Sequence, residues 1–134
     1  MADEKLQRLE IVTPERKVYT EDVRMVVLPG SEGEFGVLPD HAALVSALRI
    51  GVIRIHNEGK VTKIAVSGGF VEVRDSKVTV LANSAERQDQ INLERAEAAK
   101  ERAEQRLATH GPDLDTIRAE AALKRAINRI KAVG

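Results

Sequence analysis

Six arginines in the last third of the chain have the most specific spacing in this sequence. Arg95, Arg102 and Arg106 stand at i, i+7 and i+11, and Arg118, Arg125 and Arg129 repeat the pattern. At 3.6 residues per helical turn each set drifts by only about 20° over seven or eleven residues, so each forms one column on one helix face. Lys100 has Glu97 and Glu104 three and four residues away, Lys124 has Glu120, and Arg118 has Asp115; Arg95, Arg102, Arg106, Arg125 and Arg129 have no acid at those offsets. Arg102 with Arg106 and Arg125 with Arg129 are instead like-charge pairs, mildly unfavourable on a helix surface. This pattern partners the lysines and leaves five arginines unpartnered. The planar guanidinium fork suits phosphate oxygens, so the spacing points to a polyanionic ligand, with Glu97, Glu101 and Glu104 across the hairpin as the competing partners.

Catalytic chemistry has no comparable support. The chain contains no Gly-x-x-x-x-Gly-Lys-Ser/Thr, no Gly-x-Gly-x-x-Gly, no Gly-x-Ser-x-Gly and no His-Glu-x-x-His. There is no cysteine, so disulfides, thiolate catalysis and Cys-containing zinc sites are excluded. His41, His56 and His110 lack ligand neighbours at metal spacing; His56 reads as a solvated strand residue and His110 as a cation at a helix C-terminus. The expectation is a protein that is not an enzyme and holds no metal.

Composition narrows the partners. With 21 Lys+Arg against 21 Asp+Glu the net charge is zero, which argues against a nucleic-acid binder held by bulk phosphate neutralisation. Three aromatics, Tyr19, Phe35 and Phe70, give little for a base-stacking platform. The beginning of the chain has no apolar core of the signal-peptide kind, and no stretch approaches the roughly 18 apolar residues of a membrane span; the longest candidate is 42–48. A soluble cytosolic chain that can sit on a membrane complex is expected.

The elements that must carry the arginines follow from a change of character near residue 85. All three aromatics and seven of nine glycines lie before it; after it come ten alanines and nineteen charges in 49 residues. The fold class expected is α+β: a β-sandwich or flattened barrel over 1–85 and an antiparallel two-helix hairpin over 86–134. Short alternating runs at 9–13, 23–27, 52–56, 61–66, 69–73 and 77–81 read as strands, with turn signals at Asn57-Glu58-Gly59-Lys60 and Asp75-Ser76. The three glycines and Pro39 within 30–41 read as turn chemistry, and Gly68-Gly69 as a bulge or close backbone approach. Asn92 is placed to cap a helix over about 93–109, and His110-Gly111-Pro112 to end it; a second helix is expected over about 113–132. The buried stripes, Ala96, Ala99, Ala103 and Leu107, then Ala119, Leu123, Ala126, Ile130 and Val133, are mostly alanine. Such a hairpin packs closely but removes little apolar surface from water, at about 25 cal/mol per Å², and is a candidate for a movable element.

Three segments carry a family resemblance. Leu28-Pro29-Gly30-Ser31-Glu32-Gly33-Glu34-Phe35-Gly36-Val37-Leu38-Pro39-Asp40-His41, Ala65-Val66-Ser67-Gly68-Gly69-Phe70-Val71-Glu72-Val73 and Val78-Thr79-Val80-Leu81-Ala82 resemble the epsilon subunit of bacterial F-type ATP synthases. The resemblance covers essentially the whole chain. It implies a non-catalytic rotor subunit at the cytoplasmic face of the bacterial membrane, without membrane insertion or nucleic-acid binding. The implied partners are the gamma subunit and c-ring through the sandwich, and the catalytic alpha/beta head when the hairpin extends and inhibits ATP hydrolysis. Some members bind ATP without hydrolysing it, which favours the folded-down hairpin. Their Ile/Leu-Asp-x-x-Arg-Ala motif reads here Ile91-Asn92-Leu93-Glu94-Arg95-Ala96, with Asn92 in place of the acid. The resemblance thus implies Glu86, Ile91, Asn92, Arg95, Ala96, Arg102, Arg106, Arg125 and Arg129 as ATP contacts, and Glu32 and His41 as rotor-interface residues. The alternative is a structural coupling subunit whose arginines meet acidic residues of the head.

Overall fold

A computed structural model describes residues 5–109, 111 and 115–134. Eight strands come first: β1 (Gln7–Val12), β2 (Lys17–Val23), β3 (Met25–Gly30), β4 (Gly33–Val37), β5 (Leu44–Asn57), β6 (Lys60–Arg74), β7 (Lys77–Ala82) and β8 (Ala85–Arg87). A 3-10 turn (Gln88–Gln90) leads to helices α1 (Leu93–Thr109) and α2 (Thr116–Val133). The strand order is β2-β1-β7-β6-β5-β3-β4, with β8 also on β6; β1 and β7 run parallel and the other pairs antiparallel.

The strands form because branched side chains alternate, and the sheet folds over so that its inner faces meet. Leu9, Ile11, Leu28, Ile53, Ile55 and Ile64 are fully buried in one cluster that also takes Val26, Val37, Val71 and Val78. Gln7 is the buried polar residue of this layer; its Nε2 donates to the Val37 carbonyl at 2.7 Å.

Both expected hairpin turns are present, and each needs left-handed backbone. Glu58 and Gly59 have φ of 51° and 75°, and Asp75 and Ser76 have 51° and 55°, which suits the right-handed twist of the flanking strands. Gly68 and Gly69 behave as expected too, with φ of 102° and 136°; a Cβ on Gly69 would collide with the Leu81 carbonyl.

Three expectations about the sandwich need correction. The run 23–27 is not one strand, since β2 ends at Val23 and β3 begins at Met25, the chain turning at Arg24. The segment 30–41 is not all loop: Gly30 pairs with Gly33 across a Ser31-Glu32 turn, and β4 continues to Val37. Gly33, with φ of 134° at the end of that turn, keeps the expected turn role, whereas Gly30 serves strand packing, because a Cβ there would press on the Phe35 ring and the Gly33 carbonyl. The runs between 61 and 73 are one strand of 15 residues, and β5 is nearly as long at 14.

The hairpin boundaries are close to expectation. Asn92 Oδ1 accepts the Arg95 backbone N–H at 3.0 Å, capping α1 at the expected residue. The start of α2 moves to Thr116, because Asp115 is its N-cap, accepting the Arg118 N–H at 3.0 Å. The expectations placed on His110, Pro112 and Asp113 lie outside the described residues. The two helices pack along each other and are joined by only six residues between Thr109 and Thr116, the connection of an antiparallel hairpin. Ala96 and Ala103 are buried in α1, and Ala119 and Ala126 in α2, with Ala99, Leu107, Leu123, Ile130 and Val133 half-buried along the same stripes.

The second helix buries a further side that periodicity did not show. α2 packs on β5, β6 and the 3-10 turn, and Ala132 and Asn128 are buried. Asn128 Nδ2 donates to the Gly51 carbonyl at 2.7 Å, and Lys63 Nζ donates to the Gly134 carbonyl at 3.0 Å. The hairpin is therefore folded down, held on the sandwich by α2.

Candidate functional site

The residues of interest lie where the sandwich hands over to the hairpin. β8 pairs Glu86 with Ala65 and Arg87 with Ile64, so this short strand is fixed to the middle of β6. Arg87 braces it: Nε and Nη2 donate to the Val18 carbonyl at 3.2 and 3.0 Å, and the guanidinium lies 5.2 Å from the Tyr19 ring centre. Burial, together with a hydrogen bond to Glu21 and its charge, pushes the Tyr19 hydroxyl well above the ordinary phenol range, against the opposing charge of Arg87. This support keeps Glu86 in place immediately before the helices.

Glu86 then meets α2. Arg129 Nε lies 2.7 Å from Glu86 Oε1, close but not aligned for a hydrogen bond, while Nη2 donates to Oε2 at 3.1 Å. Both side chains are partly shielded, at 30% and 36% exposure. Two of the expected site residues, 43 positions apart, are thus brought into contact. This corrects the reading of Arg129 as unpartnered: its acid comes from the sandwich side, not from Glu97, Glu101 or Glu104.

The other arginines remain as the spacing suggested. Arg95, Arg102, Arg106 and Arg125 are exposed, and among the described residues none makes an ion pair. The lysines do not show the expected contrast, however. Lys100 and Lys124 also make no ion pair among the described residues, and Asp115 engages the Arg118 backbone rather than its guanidinium. Exposed i,i+4 pairs are worth only about 0.5 kcal/mol, so these long side chains stay in water.

The remaining candidates divide. Ile91 is half-buried where the 3-10 turn ends, and Asn92 has its side-chain oxygen engaged in the cap. Ala96 is fully buried, so its methyl belongs to the packing of the hairpin. Glu32 sits exposed at the tip of the β3–β4 hairpin, whereas His41 is half-buried beyond the other end of β4, with Nδ1 2.7 Å from the Ala42 carbonyl. The strand between them keeps these two interface candidates apart. Beside His41, Asp40 accepts from Lys5 Nζ at 2.9 Å and from Ser76 Oγ at 3.0 Å, and these contacts hold its carboxyl below the usual range.

Asn128, Arg87 and Gly51 were not singled out from sequence. A mid-helix asparagine is a weak helix former and was the available signal. Among the described residues there is no cluster of His, Cys, Asp or Glu suited to a metal, and no helix long and apolar enough to cross a membrane.

A β-sandwich with a docked α-helical hairpin, joined at a Glu86–Arg129 contact, defines the class of protein. Residues 6–88 match the β-sandwich domain of the ATP synthase delta/epsilon chain, and residues 89–134 match its long α-helix domain. The chain belongs to the ATP synthase delta/epsilon chain family. More particularly, it is 59% identical over 128 residues to the ATP synthase epsilon chain of Desulforamulus reducens, covering 96% of this chain and 97% of that one. It is 63% identical over 131 residues to the epsilon chain of Pelotomaculum thermopropionicum, with 98% of each chain covered. It also resembles a chain of the Euglena gracilis mitochondrial ATP synthase OSCP/F1/c-ring structure. The TM-score there is 0.81 at 27% identity, over 99% of this chain and 85% of that one. A chain from the Tetrahymena thermophila central stalk and c-ring shares the fold at 14% identity, with a TM-score of 0.63 over 99% of this chain and 100% of that one.

Proposed function

We propose that this chain is a non-catalytic central-stalk subunit of a bacterial F-type ATP synthase that couples the gamma subunit to the c-ring and restrains ATP hydrolysis through its hairpin. ATP, bound but not hydrolysed, stabilises the folded-down hairpin. The observation that carries this reading is the contact of Glu86 with Arg129. One residue comes from the sandwich and the other from α2, so they meet only when the hairpin is down. A ligand using both, with Arg95, Arg102, Arg106 and Arg125 free to receive phosphates, binds the docked form alone. Such a ligand adds RT ln(1+[L]/Kd), about 2.7 kcal/mol at a hundredfold excess over Kd.

The sandwich has a face suited to a protein partner. Phe70 and Leu81 are paired across β6 and β7 and are 59% and 58% exposed, and Val45 is 72% exposed on neighbouring β5. An apolar face of this kind fits docking on gamma. Glu32 and His41, at separate points of the sandwich, are the candidates for c-ring contact. The subunit has its place at the cytoplasmic face of the membrane as a peripheral part of the complex.

Equilibrium ATP titration of the chain tests the nucleotide reading. Saturable binding is expected, weakened about tenfold by Arg95→Ala through loss of one charge-assisted contact. Asn92→Asp keeps the cap and reports whether a negative charge at that position strengthens or weakens ATP binding. Absence of saturation at millimolar ATP would overturn nucleotide sensing and favour the structural coupling reading, in which the exposed arginines meet acids of the catalytic head.

A further inference from the structure

A second concentration of positive charge lies in the seam between α2 and the sandwich, away from the arginine columns. A cavity of about 260 Å³ there is lined by Arg49, Arg54, Lys63 and Lys131, with Glu34 as the one carboxylate of that lining. A continuing groove adds Lys124. Glu34 is engaged by Arg54 at 2.8 Å. Arg49 Nε donates to the Gly30 carbonyl at 3.2 Å and Lys63 Nζ to the Gly134 carbonyl, so neither meets an acidic side chain. Lys131 makes no ion pair or hydrogen bond among the described residues. Arg49, Lys63 and Lys131 therefore line one partly open cavity with no acidic side chain paired to any of them.

We propose that this seam is a second anion site, for a small phosphate oxyanion of the inorganic phosphate or pyrophosphate class. Arg49 supplies a planar fork, and Lys63 and Lys131 supply point charges that suit tetrahedral oxygens. The lining has no aromatic ring, so nothing there stacks a nucleobase, and the phosphate is the group recognised. Around α2, Lys124, Asn128 and Lys131 fall within about 60° of one another, and Arg125 and Arg129 lie about 110° away. The two anion sites use different faces of the helix.

The seam also has a built-in dependence on conformation. Arg49, Arg54 and Lys63 come from β5 and β6, whereas Lys131 and Asn128 come from α2, and Asn128 fixes the distance between them through its bond to Gly51. The site is complete only with the hairpin down, so its ligand favours that state by linkage. This holds whether or not ATP binds at the arginine columns.

The test is titration of pyrophosphate into the full chain at low ionic strength, followed by backbone amide NMR. The expected result is saturable shifts in 49–54, at Lys63 and in 128–131. Binding read from the shifts in 49–54 and 128–131 should weaken about tenfold in Arg49→Gln and in Lys131→Gln, and that readout should not move in Arg95→Ala. The wild-type shifts locate the site even if a variant loosens the hairpin. Absence of saturable shifts in 49–54 and 128–131, whatever happens at 92–106, overturns the proposal.

Discussion

The sandwich and the hairpin are held by different means. Fully buried Leu9, Ile11, Leu28, Ile53, Ile55 and Ile64 fill the sandwich, each worth roughly 1.5–3 kcal/mol of burial. The buried residues of α1 are Ala96 and Ala103, and those of α2 are Ala119, Ala126, Ala132 and Asn128. A methyl removes little surface from water, so the docked hairpin depends on a few polar contacts to the sandwich: Asn128 on Gly51, Lys63 on Gly134, and Arg129 on Glu86. Large apolar area fixes the part that must not change shape. Small area and replaceable polar contacts leave the other part within reach of a ligand's binding energy.

The largest effect should come from the sandwich core. Ile53→Ala should cost about 3 kcal/mol of global stability, read as a lower urea midpoint of the strand signal. A loss under about 1 kcal/mol would mean that the core is not the rigid partner in the comparison. Asn128→Leu should act on the hairpin alone. Losing the bond to a buried carbonyl should speed amide exchange of α2 about tenfold and leave Ile53 and Ile64 amides unchanged. Equal acceleration in both regions would show one cooperative unit instead of two.

Glu86→Gln is a smaller perturbation, because the pair with Arg129 is a third exposed. About 0.5–1 kcal/mol of docking should be lost, visible as faster exchange in α2, with strand exchange unaffected. The smallest effect is that of pH on the sandwich. Asp40 is held below its ordinary 3.8 by Lys5 and Ser76, so its contribution is present above that value and is lost as pH falls through the lower folded value. Asp40→Asn should therefore flatten the dependence of the urea midpoint on pH below about 4, without touching hairpin exchange. Glu10 follows the same sign, its carboxyl lowered first by Lys77 and then by Lys17.

Much of this comparison could be read from the chain, because local rules decided it. The turns at Glu58-Gly59 and Asp75-Ser76, the Asn92 cap and the alanine stripes all rest on residues close in sequence. What was hidden depended on distant contacts. β4 was obscured because Gly33 and Gly36 read as turn residues, and only the pairing of this segment with β3, where Gly30 makes room for the Phe35 ring, reveals a strand. The partner of Arg129 lies 43 residues away, and its identity follows from where α2 docks. Nothing in the spacing along α2 marks Asn128; its meaning comes from a Gly51 carbonyl 77 residues earlier. The arginine spacing correctly marked Arg95, Arg102, Arg106 and Arg125 as exposed cations but not Arg129, and the supposed neutralisation of the lysines was a property of the sequence offsets and not of the folded side chains.

Hydrogen exchange of the full chain with and without ATP tests the central claim most directly. ATP should slow exchange across 92–130 and leave the sandwich core as it was, since the ligand adds stability only to the docked hairpin. Identical exchange in 92–130 at millimolar ATP would contradict the account.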